Sequence, residues 1–198
     1  MPKKAILLLA DGFEEVEALT PVDYLRRAGI EVCTAAIGSG KNVKGSHGIP
    51  VTADALLGDL LRQEKAPASS WDAVLLPGGM PGAANLAASA ETGSFLKDMA
   101  AAGKWVCAIC ASPAAVLFPL GLLQGRSFTC FPGMETQVSG ALWQEKPVVT
   151  DGNIITSRAA GTAAAWSLTI IAKLAGEEAA EKIASSVLLA KLDPQNSV

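Results

Sequence analysis

Apolar runs of strand length alternate along this chain with longer amphipathic segments. The two periodicities predict strands and helices in turn. The predicted strands are Ala5–Leu9, Glu31–Ala36, Ala73–Leu76, Trp105–Ile109 and Asn153–Ser157. The predicted helices are Glu15–Ala28, Ala55–Arg62, Glu91–Ala102, Pro113–Phe118, Thr162–Leu174 and a last one near Glu177–Leu189. This alternation predicts an α/β fold with a mostly parallel sheet that helices cover on both faces.

Length and composition narrow the class of protein. The chain has 198 residues, 50% of them hydrophobic, which predicts one domain over residues 1–198. A formal charge of -3 offers no basic surface for phosphates, so nucleic acid is not expected as a primary ligand. Asp11 interrupts the first apolar run below the length of a signal peptide or membrane span. We therefore expect a cytoplasmic protein without membrane contact, in which the four cysteines are thiols.

Three segments with unusual residues directly follow predicted strands. They are the acidic segment Asp11–Glu17, the segment Pro77–Gly79 and the segment Cys110–Pro113. In an open parallel sheet, ligands bind beyond the carboxyl ends of the strands, where loops and helix N-termini converge. A functional site is therefore expected at these strand ends.

Cys110 ends a strand and is followed by small residues and Pro113, in the sequence WVCAICASP. This order is typical of a nucleophile elbow, where the side chain lies above the sheet and a helix N-terminus points at it. Such a position favours a thiolate with a lowered pKa. The alternative is that Cys110 is only a small buried residue at the end of a strand.

Cys107 and Cys110 also form a C-x-x-C pair, a spacing that thioredoxin-like proteins use. Cys107 falls inside the predicted strand, where residues three apart point to opposite faces and lie too far apart for a disulfide. A redox-active pair is therefore not expected, and neither is a metal site. Cys33 and Cys130 are predicted to lie in or near the core.

Two further features border the predicted elbow. Gly78 and Gly79 let main-chain N–H groups approach a ligand closely, as an oxyanion hole requires, although an ordinary turn is the alternative. Glu14, Glu15 and Glu17 begin the first helix, where carboxylates complement the helix dipole. Contact with the thiol is the alternative role for one of them.

His47 is the only histidine of the sequence. Cysteine peptidases and amidases normally pair the thiol with a histidine base. Because His47 is remote from Cys110 in the order of elements, thiolate chemistry assisted by a carboxyl group is the preferred interpretation.

Five motifs distributed over nearly the whole chain are jointly specific. They are ILLLADGFEEVEALTPVD in the first strand and helix, RRAGI at Arg26–Ile30, VLLPGGMPGAANL at Val74–Leu86, VCAICASPAAVL at Val106–Leu117 and TSRAAGTA at Thr156–Ala163. With these motifs the chain resembles the ThiJ/PfpI superfamily, and within it the branch of YajL and DJ-one.

The resemblance implies a flavodoxin-like fold, a nucleophile elbow and a homodimer. It implies that Cys110 is the reactive cysteine, that a protonated Glu17 donates a hydrogen bond to its sulfur, and that the N–H groups of Gly79 and Ala111 stabilise an oxyanion. The residues expected near the substrate are Glu14, Gly78, Phe131, Ala160 and Arg27. Arg27 is expected at the rim of the pocket near the partner, with His47 a second candidate there.

Three residues depart from the family pattern. Phe131 stands where some members have a histidine, Ala160 replaces a proline, and Ser112 replaces a glycine. These changes affect the shape and polarity of the substrate pocket and leave the nucleophile in place.

The function that the resemblance implies is that of a cofactor-free glyoxalase or deglycase. It would convert methylglyoxal, glyoxal or early glycation adducts to hydroxy acids. The second class is a non-enzymatic thiol sensor or redox-regulated chaperone in which Cys110 is oxidised. A peptidase or amidase is disfavoured because no histidine is expected near the thiol.

Overall fold

Strands and helices alternate along the chain in the computed structural model, which describes residues 2–63 and 67–189. In chain order the elements are β1 (Lys4–Leu9), α1 (Glu15–Arg27), β2 (Glu31–Ala36), β3 (Asn42–Lys44), β4 (Pro50–Thr52), β5 (Ala55–Leu56), α2 (Leu57–Gln63), β6 (Ala73–Leu76), α3 (Gly82–Ala88), α4 (Ala90–Ala101), β7 (Trp105–Ile109), β8 (Ser127–Phe128), β9 (Leu142–Trp143), β10 (Val148–Asp151), β11 (Ile154–Ser157), α5 (Ala163–Ala175) and α6 (Glu177–Ser186).

The main sheet contains seven strands within the described residues, in the order β10-β11-β7-β6-β1-β2-β5. Only β10 runs antiparallel to its neighbour, through a hairpin that turns at Gly152. The other neighbouring strands pair in parallel. The order places β1, β6 and β7 side by side, so the loops that follow them meet at one edge of the sheet.

Helices cover both faces of this sheet, as β1 illustrates. Ala5, Leu7 and Leu9 belong to a core shared with residues of α1, α5 and α6. Ile6 and Leu8 point to the other face and join a core formed with α3 and α4. The alternation follows from the two-residue period of a strand. The expected flavodoxin-like α/β arrangement is therefore confirmed.

The structure differs from the sequence prediction mainly at short elements. Ala55–Leu56 is a short strand that pairs with β2, so the predicted helix begins only at Leu57. Helix α3 was not predicted, because its sequence GAANLAA has few large apolar residues to show a helical period. Pro113–Leu117 forms one wide π-helical turn rather than a regular helix. Helix α6 ends at Ser186, before the expected Leu189.

Among residues 2–63 and 67–189, no helix combines the length and the apolar character that crossing a bilayer requires.

Candidate functional site

Three loops meet at the carboxyl ends of β1, β6 and β7. Gly78, after β6, accepts a hydrogen bond from the Glu14 N–H at 3.0 Å and donates its own N–H to Glu17 Oε2 at 2.8 Å. Ser112, after β7, donates its hydroxyl to the Pro77 carbonyl oxygen at 2.6 Å. The three segments that the sequence predicted at strand ends therefore form one hydrogen-bonded unit.

Cys110 occupies the turn after β7 in a left-handed backbone conformation, with φ of 64°. This conformation costs an L-residue about 1–2 kcal/mol. Two backbone hydrogen bonds hold it, from the Cys110 N–H to the Ser157 carbonyl at 3.0 Å and from the Phe131 N–H to the Cys110 carbonyl at 2.8 Å. A strained residue between buried strands and a helical turn is the geometry of the predicted nucleophile elbow.

Glu17 lies beneath the sulfur of Cys110 and is 1% exposed. Its carboxyl group hydrogen-bonds with the Cys110 thiol and accepts from the N–H groups of Gly78 and Ala160. Burial raises the pKa of Glu17 to about 7 against the opposing effect of these hydrogen bonds. Glu17 is therefore able to hold a proton near neutral pH.

The state of the Cys110 sulfur depends on that proton. Burial raises the pKa of the Cys110 thiol, and the Glu17 carboxylate raises it further. The N–H groups of Gly79 and Ala111 act in the opposite direction because they donate to the sulfur. A negative charge on Glu17 therefore opposes ionisation of the Cys110 thiol, and a proton on Glu17 removes that opposition.

This coupling corrects the expectation that a helix dipole lowers the pKa of Cys110. The π-helical turn Pro113–Leu117 contains five residues, too few to build a large dipole. The backbone donors of Gly79 and Ala111 lower the pKa of Cys110, but burial and the Glu17 carboxylate outweigh them, so the expected lowering of that pKa is wrong.

Gly78 lies closer to these groups than any other residue type permits. A Cβ atom at Gly78 would lie 2.6 Å from Cys110 Cβ and 2.7 Å from Glu17 Oε2. At the next position, Gly79 has φ of 85°, a backbone conformation that favours glycine. The two glycines allow the thiol, the carboxyl group and the backbone donors to come together.

The acidic residues that begin α1 have separate contacts. The Glu14 side chain accepts the Glu17 N–H at 2.7 Å and so caps the helix. Glu15 instead binds the loop after β3: it accepts the His47 N–H at 2.8 Å, and one of its oxygens lies 2.8 Å from His47 Nδ1. Burial raises the pKa of Glu15, but these hydrogen bonds outweigh it and lower the pKa to about 2.

His47 therefore contacts Glu15 rather than Cys110, and its side chain is 71% exposed. Among the described residues, Glu14, Glu15 and His47 form the one group whose ligand atoms lie close enough to hold a metal ion, within 4.8 Å of one another. Hydrogen bonds to the His47 ring and backbone account for the position of the Glu15 carboxylate without an ion.

Of the residues predicted to lie near the substrate, Ala160 is close to Cys110 and Glu17, and Arg27 is not. Ala160 is at the site, where its N–H donates to Glu17. Arg27 is at the far end of α1 from Glu14 and Glu17, and its Nε binds Asp23 Oδ2 at 2.7 Å. Within one chain, Arg27 is the last residue of α1, ten positions after Glu17, and so does not adjoin its own Cys110. Its placement next to a partner subunit's pocket stays a prediction.

Ser112 and Thr162 support the site and were not identified as functional from the sequence. The buried Ser112 hydroxyl fixes the carbonyl that precedes Gly78 and Gly79. Thr162 Oγ1 accepts the Ala159 N–H at 3.1 Å and closes the turn that presents Ala160 to Glu17. The replacement of a glycine by Ser112 was the available signal, since a buried hydroxyl requires a partner.

The side chains of Cys107 and Cys110 were expected to point to opposite faces of the sheet, and the structure differs. Because Cys110 lies beyond β7 in a left-handed turn, it packs against the same core as Cys107 rather than facing away from it. Both are free thiols, and complete burial raises the pKa of Cys107. Cys130 is buried, as predicted, and Cys33 is half-buried.

A cavity of about 420 Å³ opens beside the sulfur of Cys110. It is lined by Gly79, Met80, Cys110, Ala111, Phe131, Pro132 and Met134. A larger cavity of about 620 Å³ lies at the opposite edge of the sheet, beside Cys33. Its charged residues pair with one another, Lys4 with Glu31 at 3.4 Å and Arg26 with Asp54 at 2.9 Å. The smaller cavity is therefore the one that adjoins the reactive groups.

Comparisons with known proteins relate this chain to a described family. The model of the DJ-1/PfpI family matches residues 3–173. Protein DJ-1 homolog B of Arabidopsis thaliana is 39% identical over 181 residues, which are 91% of this chain and 40% of the plant protein. The chain thus spans less than half of that relative's length.

Two other relatives match over most of both chains. A deglycase of Pyrococcus abyssi is 35% identical over 166 residues, which are 82% of this chain and 94% of the archaeal protein. The structure of oxidised DJ-1 from Toxoplasma gondii superposes with a TM-score of 0.89 at 37% identity, and covers 95% of this chain and 99% of the other.

We expect the substitution Gly78→Ala to separate the three loops. The added Cβ would overlap Cys110 and Glu17, so the free energy of unfolding should fall by about 1–3 kcal/mol. Gly38→Ala is the matched control, because an added Cβ there has nothing within 4 Å. Denaturant titration measures both. Equal stability of the two variants would contradict the close contact described here.

A second prediction concerns the pH dependence of stability. The folded protein keeps the Glu17 proton to about pH 7, whereas the ordinary pKa of the group is 4.5. Between these values the folded state holds more protons than the unfolded state, so the contribution of Glu17 to stability falls as pH rises, by up to about 3 kcal/mol.

Glu17→Gln has no such proton to lose, while its carbonyl oxygen still accepts the Gly78 N–H. The difference in unfolding free energy between wild type and Glu17→Gln should therefore change across pH 4.5–7 in favour of the variant. Glu178→Gln on the exposed start of α6 is the control and should keep the wild-type slope. Parallel curves for wild type and Glu17→Gln would show that Glu17 is not a buried proton carrier.

Proposed function

Because the chain belongs to the DJ-1/PfpI family, we propose that it is a cysteine-dependent glyoxalase or deglycase that needs no cofactor. Its substrates would be small dicarbonyls such as methylglyoxal and glyoxal, or early glycation adducts. The observation that carries the proposal is the buried contact between Glu17 and the Cys110 sulfur, beside two backbone N–H donors. A related protein of Pyrococcus abyssi is named a deglycase, which supports chemistry of this kind.

The first step uses the pairing of thiolate and carboxylic acid. The Cys110 sulfur attacks the aldehyde carbon of the dicarbonyl, and an S–C bond forms while the carbonyl oxygen becomes negatively charged. The N–H groups of Gly79 and Ala111, which donate toward the sulfur, are positioned to stabilise that oxygen. Glu17 supplies the proton that converts the oxyanion to a hemithioacetal hydroxyl.

The later steps transfer protons and end in hydrolysis. The Glu17 carboxylate removes the hydrogen of the former aldehyde carbon as a proton and returns it to the neighbouring carbonyl carbon, while the hemithioacetal hydroxyl gives its proton to the neighbouring carbonyl oxygen. The product is a 2-hydroxy thioester. Water then cleaves the S–C bond to give a hydroxy acid and free Cys110, so the reaction consumes one dicarbonyl and one water. A pKa near 7 suits Glu17 to both acid and base roles.

A deglycase would differ in its first step. An early glycation adduct carries, at its former aldehyde carbon, a hydroxyl and a bond to an amine, thiol or guanidine group of the glycated partner. The Cys110 sulfur would bond to that carbon while the bond to the partner breaks and Glu17 gives its proton to the departing group, which leaves the same hemithioacetal for the later steps. The two activities therefore require the same residues of this chain.

The second candidate function is a thiol sensor, and one comparison favours it. The related structure from Toxoplasma gondii is that of an oxidised DJ-1. In this chain, a sulfinate on Cys110 would meet the donors of Gly79 and Ala111 and a protonated Glu17. A peptidase or amidase is less supported, because His47 binds Glu15.

Turnover of methylglyoxal by the purified, metal-free protein separates an enzyme from a sensor. We expect steady-state formation of lactate that Cys110→Ser abolishes and that Glu17→Gln lowers by a factor on the order of 10²–10⁴, the usual contribution of an acid or base. Cys33→Ser is the control and should retain activity. Stoichiometric modification of Cys110 without turnover would favour the sensor, and unchanged turnover in Glu17→Gln would eliminate the mechanism.

We also expect the protein to form a homodimer. Val16 and Leu19 are 49% and 40% exposed and lie one turn apart on α1. Ile49 is 52% exposed and lies beside the start of α1, because its N–H donates to Glu15. Such an apolar patch is typical of an interface. Light scattering at micromolar concentration should give twice the chain mass, and Leu19→Glu should give the monomer. A wild-type monomer under these conditions would contradict the expectation.

A further inference from the structure

The walls of the cavity beside Cys110 are apolar. Four side chains form them, those of Met80, Phe131, Pro132 and Met134, and the remaining lining residues are Gly79, Ala111 and Cys110 itself. Among these lining residues the thiol is the only side chain with chemistry beyond van der Waals contact. A substrate bound to Cys110 thus meets hydrocarbon, sulfur and an aromatic ring on the sides that the backbone donors do not occupy.

Charged groups near this cavity already have partners. Glu17 lies beneath the sulfur with the N–H groups of Gly78 and Ala160, and Glu14 caps α1. Glu135 accepts the Gly133 N–H at 2.7 Å, and Arg158 binds Glu145 at 3.2 Å. A charged or polyhydroxylated substituent in the cavity would lose water without gaining an ionic partner from its walls.

The cavity also offers apolar surface that a ligand can cover. Phe131 is 46% exposed and Met80 is 59% exposed. The backbone at Phe131 is held next to the elbow, because its N–H donates to the Cys110 carbonyl at 2.8 Å. Met80 has an unbranched side chain that adapts to the shape of a ligand. An aromatic ring and flexible thioether side chains in one cavity suit a flat or branched hydrocarbon group.

We propose that the preferred substrates are 2-oxoaldehydes with an apolar alkyl or aryl substituent, and that Phe131, Met80 and Met134 determine this preference. The inference rests on the proposed function and specifies its substrate class. The aldehyde carbon would lie at the Cys110 sulfur, and the substituent on the adjacent ketone would fill the space between Phe131 and the two methionines.

The test compares phenylglyoxal with glyoxal, each rate being normalised to the rate of the same compound with a simple thiol in solution. We expect kcat/KM for phenylglyoxal to exceed that for glyoxal by about 10- to 100-fold, since covering an aromatic ring favours binding by that order. A normalised ratio near one would overturn the proposal.

Matched variants locate the preference. Met80→Gln and Met134→Gln keep the length of the side chain and add polarity, and Phe131→Asn removes the ring. Each should lower the phenylglyoxal to glyoxal ratio of kcat/KM by about 3- to 10-fold, mainly by raising KM for phenylglyoxal. Leu142→Gln, at a position that is 64% exposed and outside the cavity, should leave the ratio unchanged. Ratios that do not move in the three cavity variants would also overturn the proposal.

A measurement without turnover separates this inference from the proposed function. Cys110 is alkylated with N-phenylmaleimide and with N-(2-carboxyethyl)maleimide, and labelling of its peptide is followed by mass spectrometry. We expect the apolar reagent to react at least 10-fold faster after normalisation to glutathione, and Phe131→Asn to reduce that difference. If no dicarbonyl turns over but this preference is found, the proposed function fails and the apolar recognition stands. Equal labelling rates would refute the recognition itself.

Discussion

The site depends on one buried contact, between the carboxyl group of Glu17 and the sulfur of Cys110. Two negative charges in such a place are unfavourable, so the pair keeps one proton between them near neutral pH. The neighbouring backbone groups allow the close contact or change the pKa of the pair. Gly78 permits it by lacking a Cβ, and the backbone donors of Gly79 and Ala111 lower the pKa of the Cys110 thiol against the effect of burial.

This contact also explains why the left-handed conformation of Cys110 is retained. In an extended strand, the side chain after Ile109 would continue the alternation and point away from Glu17. The positive φ turns it over the end of the sheet, at a cost of about 1–2 kcal/mol. Hydrogen bonds to Ser157 and from Phe131 come from other segments, so the conformation is imposed by tertiary structure. The contact between Cys110 and Glu17 thus requires the left-handed turn.

The sequence predicted the elements that local periodicity specifies, and fewer of the features that depend on contacts between distant segments. The five predicted strands, which the structure has as β1, β2, β6, β7 and β11, follow from apolar runs, and the meeting of three strand ends follows from parallel topology. Helix α3 was missed because small residues show no apolar period. The pairing of Glu15 with His47 joins residues 32 apart in the chain, and nothing local indicates it. The rise in the pKa of Cys110 reflects burial, which an adjacent-residue argument about a helix dipole does not include.

The apolar cavity and the buried acid next to the sulfur are built by different segments of the chain. Glu17 and its hydrogen-bond partners belong to α1 and to the loops after β6 and β11, whereas the apolar wall belongs largely to the segment after β8, at Phe131–Met134. One backbone hydrogen bond, from the Phe131 N–H to the Cys110 carbonyl, joins the two sides. Because that bond uses the main chain, the side chain at position 131 can change without disturbing the elbow. Substitutions there would alter the apolar cavity and leave the contact between Glu17 and Cys110 in place.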